Sequence, residues 1–326
     1  MKAIIISTYG GPEVLTLTKL PDPVPAAGEV LIRVKAIGLN HAEAYMRAGA
    51  WGEVAAVTGI ECAGTVEADP SGELPTGITV VAILGGMGRT RNGSYAELVT
   101  VPATNVVPVR SSLGWADLAA VPEVYSTAWS GLFGNLELRP DETVLVRGAT
   151  SSLGQAAVNL AVDHGARVLA TTRNPDHAVL LKDLGAEDVL IDDGRLSTQV
   201  RDRSIRVDAV LDVVGNSALR DSLATVRPRG RVCQVGFLGG FAPVPDFDPI
   251  SDLPSGVRLS FFGSAFVLGS PEFPLSDIPL DTIYAKVEAG SLRARPTRTF
   301  RFEQIVEAHR VMESGRALGK MTVILD

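Results

Sequence analysis

Cysteine is nearly missing from this chain of 326 residues; only Cys62 and Cys233 occur. Two cysteines build no disulfide framework, so a reducing cytoplasm is the expected setting. Histidine is scarce as well. His41, His164, His177 and His309 stand apart, with no His-x-x-x-His or Cys-x-x-Cys pair, and no metal site is written locally. Positive charge is in deficit: 30 Lys and Arg face 37 Asp and Glu, for a net charge of −7. That disfavours a general nucleic-acid or anionic-membrane surface. No apolar run approaches the ~20 residues that span a bilayer. Residues 1–7 hold too short an apolar core for a signal peptide and read as a first strand.

What is present is an ordinary globular balance, 46% apolar and 21% charged, over a length that suits two domains. The most telling stretch lies near the middle. Residues 142–147 form an apolar β-type run, then come Gly148-Ala149-Thr150-Ser151-Ser152-Leu153-Gly154, then a helical pattern over residues 155–164. A strand feeding a tight turn feeding a helix aims backbone N–H groups and a positive helix end at one spot, which suits a pyrophosphate. The three glycine-type positions are Gly148, Ser151 and Gly154. Taken alone such a turn is also what any strand-to-helix connection in an α/β domain looks like.

The surrounding pattern narrows the reading. Residues 1–121 read as mainly β, with strands over 2–8, 29–36, 59–67 and 78–84 separated by Pro- and Gly-rich turns. Residues 85–93 read as a flexible, partly basic, solvated loop. Residues 122–266 alternate strand and helix, with apolar strands near 144–146, 167–172, 189–191, 207–214, 231–236 and 257–262. Six near-continuous apolar strands with helical crossovers argue for an α/β, doubly wound, parallel six-stranded sheet of the Rossmann type. Residues 267–326 break the alternation, with helices over 282–289 and 302–314 and a strand over 321–325, and are expected to return to the first domain.

Several short runs then fall into a familiar order: Gly38-Leu39-Asn40 with Tyr45-Met46-Arg47-Ala48-Gly49; Gly59-Ile60-Glu61-Cys62-Ala63-Gly64-Thr65-Val66; Gly93-Ser94-Tyr95-Ala96-Glu97; Thr127-Ala128-Trp129; the turn from Gly148 to Gly154; Leu184-Gly185-Ala186; Asp212-Val213-Val214-Gly215; and Gly319-Lys320. In order and spacing the chain resembles the medium-chain dehydrogenase/reductase superfamily, and within it the zinc-independent quinone oxidoreductase branch typified by zeta-crystallin. The resemblance implies a GroES-like catalytic domain beside the Rossmann domain. It also implies hydride transfer between a nicotinamide cofactor and a small-molecule acceptor, in a protein that is often a homodimer. The chain has no Tyr-x-x-x-Lys pair, which argues against a short-chain dehydrogenase, and no Ser-His-Asp set is apparent.

Zinc-dependent alcohol dehydrogenases of the superfamily place Cys, His and Cys around the metal; the matching positions here are Asn40, Ile60 and Glu123. Ile60 cannot ligate, and one amide with one carboxylate is a poor zinc site, so no metal is expected. For the cofactor, the end of the second Rossmann strand reads Thr172-Arg173-Asn174, with no acid for a ribose 2′-hydroxyl and a guanidinium able to pair with a 2′-phosphate, which points to NADPH. Asp176 and His177 stand where the branch often has a lysine, and Asp192 where it often has a tyrosine. The expected cofactor contacts are Asn40, Thr127, Gly148, Ser151, Ser152, Leu153, Gly154, Thr172, Arg173, Val214, Gly215, Gly236, Phe237, Phe262, Gly263 and Lys320. Leu238, Phe261 and Phe266 read as core.

Tyr45, Trp51 and Tyr125 are the candidate substrate side chains, an aromatic slot for a planar quinone or enone, or else ordinary packing. Asn40 and the Tyr45 hydroxyl are the candidate donors to the acceptor oxygen, Asn40 being equally readable as a turn residue. The expected activity is an NADPH-dependent, zinc-independent reduction of a quinone or conjugated carbonyl. The alternatives are an enone or enoyl-thioester reductase on the same scaffold, or a crystallin-like or RNA-binding role without catalysis.

Overall fold

The structure is a computed structural model that describes residues 1–52 and 54–325. The chain forms two compact units, residues 1–126 with 264–326, and residues 127–263.

The first unit is built on a seven-stranded sheet. Its central strand, Glu29–Gly38, pairs antiparallel with Glu61–Ala68, with Leu98–Pro102 and with Met321–Ile324. Thr79–Ile83, Val106–Pro108 and Arg298–Arg301 complete it. The return of the last segment is therefore a matter of hydrogen bonding: Met321–Ile324 is a sheet partner of Glu29–Gly38 across almost the whole sequence. A separate two-stranded ribbon joins Lys2–Ile6 to Leu15–Lys19. Between the sheet and the amphipathic helix Ile305–Glu313 lies a core that includes Ile4, Val30, Ile32, Val80, Tyr95, Val101 and Val311. One polar pair is sealed inside it. Tyr95 Oη lies 3.0 Å from His309 Nε2, and burial pushes the imidazole down to about 3, so the ring is neutral and structural.

The second unit is a parallel sheet whose six strands lie in the order Asp188–Ile191, Arg167–Thr172, Thr143–Arg147, Ala209–Asp212, Arg231–Gln234, Arg258–Phe261. In chain order within the unit that is 3-2-1-4-5-6, the doubly wound arrangement of dinucleotide-binding folds. Thr143–Arg147 is buried along its whole length, which is why it reads as an unbroken apolar run. The order reverses beside this strand, and the phosphate-type turn follows it directly.

The loop at residues 85–93 departs from the solvated expectation. Met87 is 1% exposed and packs into the core, and the Gly86 carbonyl accepts from the N–H groups of Arg89, Thr90 and Arg91 at 3.0–3.2 Å. A single large apolar side chain pulls the segment inward.

Candidate active site

The turn after Thr143–Arg147 is shaped by close approach. Gly148 has φ +81°, which favours glycine. Ser151 caps the helix Ser152–Asp163: its hydroxyl accepts from the Gly154 N–H at 3.0 Å and donates to the Gly148 carbonyl at 2.8 Å. A Cβ on Gly154 would fall 2.4 Å from the Gly148 carbonyl oxygen and 2.6 Å from Ala149 Cα. Only glycine lets helix and turn meet this way, so the middle serine serves as cap while the outer glycines keep the spacing. Ser152 and Leu153, half-buried, begin the helix whose N–H groups lack intrahelical acceptors. The cradle fits a pyrophosphate.

The ends of the neighbouring strands converge on the same place. Val213 N–H donates to the Arg147 carbonyl at 3.1 Å, and Val214 and Gly215 N–H both donate to Asp212 Oδ1 at 2.8 Å. Leu238 and Gly239 N–H donate back to the Val213 and Val214 carbonyls. Gly148, Val214, Gly215, Gly236 and Phe237 are thus brought together. Behind them Arg147, 2% exposed, grips both oxygens of Asp192 at 2.8 and 2.9 Å and lies 3.0 Å from Asp221. Asp192 is consumed in holding the strand ends. Asp212 is fully buried, its pKa raised by that burial, and is steadied by Ser222 Oγ at 2.6 Å. At the second strand's end Thr172 is buried, and its hydroxyl bonds the Asn174 backbone. That turn leaves Arg173 exposed, with no ion-pair partner among the described residues. Phe262 is 3% exposed and continues the sixth strand through its N–H to the Gln234 carbonyl; Gly263 follows it, half-buried. Thr127 is buried on the helix Pro122–Trp129.

In the first unit the helix His41–Arg47 starts at Asn40. The sequence reading passed over this helix, although Asn40-x-x-Glu43 carries the residue types of a capping box. Glu43 Oε2 accepts from the Asn40 N–H at 2.6 Å. The Asn40 side chain is committed too: its Oδ1 accepts from Lys320 Nζ at 2.6 Å, and its Nδ2 donates to Glu61 Oε1 at 2.8 Å. Lys320 Nζ also reaches Glu61 Oε1 at 2.5 Å, while Glu61 Oε2 accepts from the Glu123 N–H at 2.8 Å. Gly38 makes room, since a Cβ there would lie 2.4 Å from Glu61 Oε1. Burial pushes the fully buried Glu43 carboxyl up to about 8, helped by the neighbouring Glu61 and opposed by Lys320.

Two of the three zinc-ligand positions, Asn40 and Glu123, do meet, both bonded to Glu61; Ile60 is 2% exposed and apolar. The cation among them is the Lys320 ammonium. A divalent ion would be repelled by that ammonium, the Glu61 carboxylate is already paired with it, and Ile60 offers no donor, so the residues do not fit zinc. Among the described residues no three His, Cys, Asp or Glu side chains gather as a metal site.

Tyr45 and Trp51, both half-buried, lie with ring centroids 6.5 Å apart and planes 9° from parallel. Tyr125 is 2% exposed and sits in the interior. The stack continues to a residue expected in the core: Trp51 and Phe266 are 6.2 Å apart and 11° from parallel, and Arg89 lies 4.5 Å over the Phe266 ring. Phe266 is 61% exposed, Phe261 53% and Leu238 39%, so none of the three is core as expected. Phe266 follows the last Rossmann strand, where an apolar run reads as more strand. Its signal was the Gly263-Ser264 break just before it.

Two family descriptions match the chain: an alcohol dehydrogenase GroES-like domain over residues 26–111, and a zinc-binding dehydrogenase over residues 184–323. The chain belongs to the medium-chain dehydrogenase/reductase superfamily. It is 29% identical to the quinone oxidoreductase of Mus musculus over 339 residues, covering 100% of this chain and 98% of that one. It is 30% identical over 329 residues to the phthioceranic/hydroxyphthioceranic acid synthase of Mycobacterium tuberculosis, which takes in 98% of this chain and 15% of the synthase. A mycobacterial protein solved in complex with NADPH has a TM-score of 0.86 at 27% identity, covering 99% of each chain. Superfamily membership thus comes with a zinc-binding description that this chain's own donor set does not honour.

Proposed function

We propose that the protein is an NADPH-dependent, zinc-independent reductase that passes hydride to a quinone or conjugated carbonyl. The observation that carries this reading is Lys320 Nζ at 2.6 Å from Asn40 Oδ1 and 2.5 Å from Glu61 Oε1, a fixed cation amid the metal-type positions of a chain that keeps its phosphate cradle. Without zinc an alcohol lacks the group that would lower its pKa, whereas a conjugated acceptor spreads charge in its own π-system. NADPH, when bound, supplies the hydride.

The residues proposed to hold it are Gly148, Ser151, Ser152, Leu153 and Gly154 at the pyrophosphate, Thr172 and Arg173 at the 2′-phosphate, and Thr127, Val214, Gly215, Gly236, Phe237, Phe262, Gly263, Asn40 and Lys320 toward the nicotinamide. Tyr45 and Trp51 face the acceptor, with Tyr45 as donor to its oxygen; Tyr125, at 2% exposure, backs the slot. The protein works in the cytoplasm as a homodimer through the edge strand Arg258–Phe261, where Leu259 and Phe261 are exposed.

Enones and enoyl thioesters, reduced on the same scaffold, are the second acceptor class. The deciding experiment follows NADPH absorbance against quinones, enones and enoyl thioesters before and after exhaustive chelation, with metal analysis. Turnover that requires one tightly bound zinc per chain, or robust oxidation of simple alcohols by metal-free protein, would defeat the reading.

A further inference from the structure

We propose that the edge strand Arg298–Arg301 is a docking site for an extended acidic segment of another protein, which adds to the sheet as a further strand. Arg298–Arg301 ends the seven-stranded sheet. It pairs on one side with Met321–Ile324, and no strand lies beyond it among the described residues. Arg298, Thr299 and Arg301 are exposed, and only Phe300 packs against the core. An open edge of this kind presents main-chain N–H and C=O groups that a peptide strand can pair.

The charge says which peptide. Residues 289–302 hold Arg293, Arg295, Arg298 and Arg301 and no acidic residue, in a chain whose net charge is −7. Glu288, just before the run, is engaged by the Ser111 and Ser112 hydroxyls. Leu292 and Ala294 are buried, which turns Arg295 outward. Arg295, Arg298 and Arg301 are exposed and form no ion pair among the described residues. Successive strand residues face opposite sides of a sheet. Arg298 therefore shares a face with Phe300, and Arg301 shares the other with Thr299, whose hydroxyl lies 3.3 Å from that of Thr322. A neighbouring strand that matches both arginines carries acids three residues apart, one on each face. A second copy of this strand does not suit, since it would set arginine against arginine. A phosphate backbone or a lipid surface would leave the main-chain edge unpaired and would be opposed by the net charge.

The test is fluorescence anisotropy on the full chain with two labelled peptides of one composition, Glu-Val-Thr-Glu-Val-Thr-Glu and Glu-Glu-Glu-Val-Thr-Val-Thr. The first is also made with every second amide N-methylated, in each of the two frames. Polyuridylate RNA and phosphatidylserine vesicles are titrated alongside. Wild type is expected to bind the spaced peptide at least about tenfold more tightly than its rearrangement, the scale of one hydrogen bond to a charged group. Methylation in the frame that faces the edge should abolish binding, and methylation in the other should leave it. Arg295→Ser/Arg298→Ser/Arg301→Ser is expected to lose at least about tenfold in peptide affinity, with melting temperature and NADPH affinity unchanged. No saturable binding of the spaced peptide, equal affinity for the two peptides, the same result in both methylated frames, or tighter binding of RNA or vesicles would each overturn the proposal. So would full peptide affinity in the triple variant. The peptide comparisons on wild type decide the matter even where that variant folds poorly. NADPH turnover judges the reductase reading separately.

Discussion

Lys320 Nζ stands 2.5 Å from Glu61 Oε1, and the two side chains are 5% and 0% exposed. A buried pair of this kind gains little over apolar packing, but breaking one side leaves the other charge stranded. Lys320→Met is therefore expected to cost about 3–5 kcal/mol in unfolding stability. The double variant Lys320→Met/Glu61→Gln should recover much of it, because no uncompensated charge remains. Urea unfolding of the single and double variants measures this. Equal losses in both would mean that the pair is not the source.

Glu43 sets a pH dependence. Burial raises its carboxyl from the ordinary range to about 8 in the folded chain, while the unfolded carboxyl titrates near 4.5. Between those values the native state holds a proton that the unfolded state has lost. Stability from this group is thus complete below about pH 4.5, falls as pH rises, and is gone above about pH 8, with a slope of up to about 1.4 kcal/mol per pH unit. Glu43→Gln stays neutral in both states and should flatten the profile across that window. A wild-type profile that rises from pH 5 to 8, with no change of slope in the variant, would contradict the raised pKa.

Much of this was legible in the residues, for identifiable reasons. The Rossmann strands announce themselves because a parallel sheet covered on both faces needs unbroken apolar runs such as Thr143–Arg147. The cradle was legible because its geometry forbids any Cβ at Gly154. Strands such as Leu15–Lys19 and Val106–Pro108 were missed, being short and having mixed burial. The Glu61–Lys320 pair was not legible at all, since 259 residues separate its partners and only the antiparallel pairing of Met321–Ile324 with Glu29–Gly38 brings the C-terminal segment home. Phe266 and Arg89 were hidden for the same reason. An exposed ring and a loop arginine look like a strand end and a solvated charge until folding stacks one on the other.

Arg173 should decide between cofactors. It is exposed, lies at the end of Arg167–Thr172, and has no ion-pair partner among the described residues. A charge-assisted bond to a 2′-phosphate is worth about 1.5–3 kcal/mol, roughly a ten- to hundredfold change in affinity. Arg173→Ala is expected to weaken NADPH by that factor and NADH hardly at all, read from dissociation constants by fluorescence titration. Equal losses for both cofactors, or a wild type that prefers NADH, would contradict the assignment.

Gly154→Ala tests the cradle independently of chemistry. The added methyl would meet backbone atoms, which cannot swing aside as a side chain does. The helix start must shift, at a cost of about 1–3 kcal/mol. NADPH and NADH affinities should fall together, unlike the Arg173 case. A variant of wild-type stability that binds both cofactors normally would show that the close approach is not needed.

Tyr45 is the proposed donor to the acceptor oxygen; the Asn40 amide donates to Glu61 Oε1 at 2.8 Å and its carbonyl accepts from Lys320 at 2.6 Å. Burial pushes the Tyr45 hydroxyl above its ordinary pKa, so it keeps its proton throughout the neutral range and can donate to negative charge building on the acceptor. Tyr45→Phe preserves the ring against Trp51 and removes only that donor. It is expected to lower kcat by about 10²-fold, on the scale of lost oxyanion donors, with the NADPH dissociation constant unchanged. Asn40→Ala should behave differently. It releases Lys320 and exposes Glu61 to an unmatched site, so stability and NADPH affinity should fall along with kcat. If Tyr45→Phe turns over quinones at the wild-type rate, Tyr45 is no donor, and the acceptor oxygen must then take its proton from solvent.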